Sequence, residues 1–222
     1  MRLSDKVQNG SIEDVQNNLN KMADELEALC EKVYKKNLYS STCRVLSMFA
    51  LTTSEQLRML SRLIYEPIEI TANVCRSIFE MNIVLKFCLL NDKNLEDFAT
   101  QRVTDEISIY KNVKKLGEAD RSGKEIKILN DYIKELKSKL EKYSRPFKPD
   151  RYSIYQMAKE VGLQSEYDSL YGLYSKYVHA SAWFVLGQRD HIDLESFRQI
   201  MVVHSQYYAS MIWADIEEYY KK

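Results

Sequence analysis

Residues 67–91, PIEITANVCRSIFEMNIVLKFCLLN, form a helix-length run that is apolar almost all round. That pattern belongs to a helix covered by neighbours on most sides, not to one lying on a surface. It commits the chain to a fold with several amphipathic partners packed around one central element. The run is not wholly apolar. At about 3.6 residues per turn, Glu69, Asn73, Arg76 and Glu80 share one side, and Ile83 and Phe87 continue that line as apolar residues. Charged side chains that enter a core need partners, because an unpaired buried charge costs several kcal/mol. The expected solution is a second polar stripe facing the first.

The rest of the chain supplies the partners. Six Gly and three Pro, against many Leu, Lys, Glu and Tyr, predict an all-α protein. Ser11 with Asp14 reads as a capping box opening a helix through about Lys36, with Val15, Leu19, Met22, Leu26, Leu29 and Val33 on its core line. A second helix, from about Ser40 to Tyr65, stops before Pro67, which opens the central one. Asn94 is expected to cap the helix that follows. Residues 95–143 read as an antiparallel helical hairpin across a turn at 117–123. Phe98, Val103, Ile107, Tyr110 and Val113 line its first helix, and Ile126, Leu129, Ile133, Leu136, Leu140 and Tyr143 follow in a/d order. SRPFKPD at 144–150 reads as a linker. Ser153 caps a short helix ended by Gly162, and Ser165 with Asp168 opens another that runs through His179. The last helix runs from about Leu194 to Tyr220. The expectation is a single helical domain over residues 1–222, a bundle of roughly seven or eight helices, with the 95–143 hairpin packed on the body or projecting as an arm. A projecting arm would make a homodimer or a partner contact.

Composition excludes several classes. Lys and Arg number 32 and Asp and Glu 32, so no overall field draws in nucleic acid or an anionic membrane. Arg76, Glu80 and Lys86 interrupt the longest apolar run, which argues against a membrane span. The opening residues MRLSDKVQNG lack the apolar core of a signal peptide. Cys30, Cys43, Cys75 and Cys88 have no CxxC spacing and there are only three His, so no metal site and no cofactor are expected. The cysteines read as small buried hydrophobes of a reduced, cytoplasmic protein. The sixteen Tyr favour half-buried positions with a wet hydroxyl, at interfaces or polar pockets.

Asp168, Tyr171, Ser175 and His179 form the second polar stripe, on the helix expected from Ser165. If it faces the first, Glu80 can orient an imidazole nitrogen and Arg76 can hold an anion. Such a site would do acid–base chemistry with His179, Glu80 and Arg76, and bind a ligand through Tyr171, Ser175, Asn73 and Asp168. The same residues could equally be a buried network that fixes helix register. AKEVGL and the helix after it have the outline of a helix-turn-helix, but Glu166 and Asp168 at the groove-reading end repel DNA. Arg189-Asp190-His191 reads as a solvated loop without a role.

The segments Arg76-Ser-Ile-Phe-Glu80 and Tyr171-x-x-Tyr174-Ser175-x-x-Val178-His179 resemble a bacterial family known as domain of unknown function 5677. Its members pair R-[ST]-[LI]-[FY]-E on one long helix with Y-x-x-[LY]-S-x-x-[VI]-H, which follows a short helix and a Gly like Gly162. The likeness spans residues 40–185. By residue match it implies a shared site at Arg76, Glu80, Tyr171, Ser175 and His179, and no particular reaction. Separately, Arg198-x5-His204 resembles the motif of HEPN ribonucleases, helical domains of toxin and phage-defence systems. No Arg stands at that spacing before His179.

Three readings result. One is a ligand-binding or scaffold protein of a bacterial stress or defence system. Another is a hydrolase acting on RNA or another phosphate ester through His179 or His204. The third is a structural polar network, with function carried by a protein-partner surface. A small ligand, RNA and a second copy are the candidate partners; DNA and membranes are not.

Overall fold

The computed structural model describes residues 6–37, 39–117, 123–141, 152–179, 181–187 and 194–221, and among these there is no strand. The helices are α1 (Ile12–Lys36), α2 (Ser41–Leu63), α3 (Ile68–Leu89), α4 (Asp92–Gly117) and α5 (Gly123–Glu141). They continue as α6 (Ile154–Glu160), the single turn α7 (Gln164–Glu166), α8 (Gly172–Val178), α9 (Ala182–Gly187) and α10 (Leu194–Lys221). The chain divides into two compact units, Met1–Leu90 with Tyr152–Lys222, and Asn91–Arg151.

In the first unit α3 is the middle, with α2, α6, α8 and α10 packed around it. Local chemistry sets its approach. Ser11 and Asp14 form the predicted capping box at the start of α1, whose line from Val15 to Val33 is buried. Ser40 caps α2, and Pro67 stands at the entrance of α3. α3 and α10 run parallel: Thr71 meets Arg198, Phe79 meets Tyr208 and Lys86 pairs with Asp215 in the same order along both helices. Burial of side chains such as Ile78, Phe79, Ile83 and Leu85, none of them exposed, stabilises by about 1.5–3 kcal/mol each.

Two polar residues in this packing behave oppositely. Arg198 Nη1 donates to the carbonyls of Ile64 at 2.7 Å and Glu66 at 2.8 Å and to Thr71 Oγ1 at 3.1 Å. It therefore caps the C-terminal end of α2, where orphan carbonyls and the helix dipole favour a cation, and ties the α2–α3 turn to α10. Asn82 has no exposure, and neither atom of its amide finds a hydrogen-bond partner among the described residues.

The second unit is the predicted hairpin of α4 and α5. Ile107, Ile133 and Leu136 form its core, Val103, Tyr110 and Leu140 pack against them, and the Tyr110 and Tyr132 rings stack at 5.8 Å. Elsewhere on the a/d line Ile126 and Leu129 are only half-buried.

Three expectations need correction or placement. Asn91, not Asn94, caps α4: the Asn94 N–H donates to Asn91 Oδ1 at 2.9 Å, because Asn91 is the residue that has already left α3. Only Cys75 and Cys88 are buried, and burial pushes both thiols up to about 12; Cys30 and Cys43 are half-buried. Residues 118–122 of the expected turn at 117–123, the linker at 144–150, Tyr143 and Arg189–His191 lie outside the described residues. No helix among the described residues is long and apolar enough to cross a membrane.

Arg198→Met should lower unfolding stability by about 2–3 kcal/mol, the loss of charged hydrogen bonds to acceptors then left bare. Asn82→Leu should raise the urea midpoint, since it removes an unsatisfied amide and keeps the volume. A urea series on both variants measures the two effects; a neutral Arg198→Met would show that the α2–α3 turn holds without it.

Candidate functional site

Arg76 and Glu80 lie one turn apart on α3, the spacing at which helix side chains meet. Arg76 Nε donates to Glu80 Oε1 at 2.8 Å, with side chains 17% and 28% exposed. The pair thus sits at the edge of the core and not inside it. Arg76 Nη2 donates to the Tyr171 hydroxyl, and its Cζ lies 4.3 Å from the centroid of the Tyr171 ring. Nη1 lies 3.5 Å from His179 Nε2. One guanidinium is therefore where α3 meets the segment around α8. Cation–π attraction and a carboxylate fix its plane.

The backbone opposite is not a regular helix. Tyr167–Tyr171, between α7 and α8, is a π-helical turn. Its i→i+5 winding holds more than four residues per turn, so side chains four apart come nearly over one another. The Tyr167 and Tyr171 rings accordingly stack, with centroids 4.4 Å apart and planes at 14°. Tyr155 of α6 meets Tyr167 edge-on at 5.6 Å, and Gln164 Nε2 donates to the Tyr155 hydroxyl at 2.9 Å. Burial, then the neighbouring Tyr171, pushes the Tyr167 phenol up to about 12. Burial also raises Tyr174, well above the ordinary phenol range.

The expected helix from Ser165 through His179 is present, winding without a break from Gln164 to Val178, but the wide turn changes which residues share a face. No side chain caps α7, whose N-terminal neighbour is Leu163. The extra residue in the turn rotates Asp168 off the Tyr171–Ser175–His179 line, and Asp168 is exposed. α8 ends at Val178, and His179 is extended, with φ −107° and ψ 151°, and exposed. It is no core histidine. Asn73, a turn before Arg76, is also exposed. The Ser175 hydroxyl is buried and finds no partner among the described residues. Arg76, Glu80, Tyr171 and His179 thus come together, Ser175 lies a turn below His179, and Asn73 and Asp168 stay at the surface.

The other histidine arrangement does not converge. Arg198 and His204 are six residues apart on α10, which at about 100° per residue puts them on different sides of the helix. Arg198 is committed to the α2–α3 turn, while His204 stacks near Tyr208 with centroids 6.4 Å apart.

Tyr155 escaped the sequence reading. It stands across the Gly162 turn from Tyr167, and periodicity carries no signal through a turn whose Gly has φ 74°.

A family model described as a family of unknown function (DUF5677) matches residues 58–197, more than half of the chain. The chain belongs to the DUF5677 family. The DUF5677 match contains Arg76, Glu80, Tyr171 and His179 and stops before His204. No curated protein and no solved structure matches the chain.

The raised Tyr167 phenol has a signed consequence. Its neutral form is favoured in the fold, so its contribution to stability is complete below the ordinary phenol value of about 10 and is lost as pH rises through about 12. Tyr167→Phe should delete one late step from an alkaline titration of tyrosinate absorbance; loss of an early step instead would place that ring in water.

Proposed function

We propose that this DUF5677 protein binds an oxyanion at Arg76, with His179 as a second, titratable contact. The observation that carries the reading is the held guanidinium beside an exposed imidazole: Arg76 is fixed by Glu80 and by the ring and hydroxyl of Tyr171, and His179 Nε2 lies 3.5 Å from Nη1. A pre-ordered guanidinium loses little freedom on binding and keeps donors beyond those facing Glu80 and Tyr171. His179 gains most from a proton when an anion lies between it and Arg76, because without one the two cations repel. We also propose a place in a bacterial stress or defence system, on the resemblance of Arg198-x5-His204 to the HEPN motif.

Sulfate is a suitable probe because its charge stays constant across the range. Calorimetry should show binding that tightens as the pH falls, since protonation of an imidazole adds a positive contact. Arg76→Met should abolish it. His179→Ala should weaken it and flatten the pH dependence while shifting stability by no more than about 0.5 kcal/mol, as for an exposed side chain. A large loss of stability in His179→Ala, with no ion bound by wild type, would make the cluster a register-fixing network instead.

A second reading uses the same geometry for phosphate-ester hydrolysis, with the exposed Nε2 of His179 as general acid or base and Arg76 facing the developing charge. It is favoured by the imidazole being open to solvent. Turnover of a phosphodiester that disappears in His179→Ala would support it.

A further inference from the structure

We infer that the ligand is a nucleoside di- or triphosphate, with its terminal phosphate at Arg76 and its base on Tyr155; this rests on the anion-binding reading above. An unbroken row leads outward from the guanidinium, through contacts of 4.3 Å to Tyr171, 4.4 Å to Tyr167 and 5.6 Å to Tyr155. Tyr171 is covered by Arg76 on one side and by Tyr167 on the other, so it offers no ring face to a ligand. Tyr155 ends the row. It is 40% exposed, and its hydroxyl is held by Gln164, which limits how the ring can turn. On α6 the inward side holds Ala158, fully buried, with Ile154 and Met157 half-buried, whereas Tyr155 keeps part of its ring in water. An ordered aromatic surface open to water is a platform for a planar base, since every base has a π face.

The row also sets the ligand's length. Two rings separate the platform from the guanidinium, so a sugar and more than one phosphate must link base to anchored anion. Local charge limits the ligand in the other direction. Glu80 lies on α3 with Arg76, Asp168 on the turn of the stacked tyrosines and Glu166 just before it, which repels a long polyanion but tolerates one anionic end held by Arg76 and His179.

The test is calorimetry on the full chain with ADP, pyrophosphate and sulfate, using wild type, Tyr155→Ala, Tyr155→Phe and Arg76→Met. ADP should bind roughly tenfold more tightly than pyrophosphate, an advantage of the size that base stacking confers. Tyr155→Ala should erase that advantage and leave pyrophosphate unchanged, whereas Tyr155→Phe should keep it and guards against a folding artefact. Equal affinity for ADP and pyrophosphate in wild type would overturn the inference and leave the anion site standing. Failure of sulfate, pyrophosphate and ADP alike would remove the anion site itself. A short RNA that displaces ADP at equal nucleotide concentration would show that the row reads a strand, and would also overturn the proposal.

Discussion

α3 has almost no face that tolerates water, and the first unit is arranged to meet that demand. No single neighbour can cover a helix all round. α2, α6, α8 and α10 therefore each take a sector, and α10 takes its share by running parallel to α3 for most of its length. A sector not closed by apolar side chains holds Arg76 and Glu80. Their partial exposure follows from where the covering stops, at the seam between α3 and the segment around α8. The candidate site is a gap in a coat, stabilised by the groups that line it.

Two arginines show how position decides role. Arg198 faces main-chain carbonyls left over at the end of α2, and its work is to join elements. Arg76 faces side chains, a carboxylate and a phenol, and stands next to an imidazole in water. Both are held firmly. The difference is that Arg198 spends its donors on the α2–α3 turn and Glu195, while Arg76, 17% exposed, keeps an open side.

What could be read in advance follows the range of the interactions. Capping is local, so the starts of α1, α2, α3 and α6 were visible in Ser11, Ser40, Pro67 and Ser153, and Gly162 marked the end of α6. The apolar run of α3 announced its central place. The meeting of Arg76 with Tyr171 and His179 was legible as two polar stripes on two helices. The π-helical turn was not, because every count along the chain assumed one period, and a single extra residue moves Asp168 away from its expected neighbours. Nor was the role of Arg198, whose acceptors are backbone carbonyls and leave no mark in the sequence. Asn91 and Asn94 offer similar chemistry at one boundary, and only the backbone path chose between them.

The chain leaves the first unit after Leu90 and returns at Tyr152, whose ring lies 4.9 Å from that of Phe87. The hairpin unit is therefore a detour that begins and ends at one place on the body. Closing such a loop costs an entropy that grows only slowly with its length, and two helices that pair locally shorten the effective path further. The body's folding is thus nearly indifferent to how long the detour is. Residues between those two points can lengthen, shorten or change character while the helices around α3 still find each other, which makes this the position at which the architecture is most open to variation.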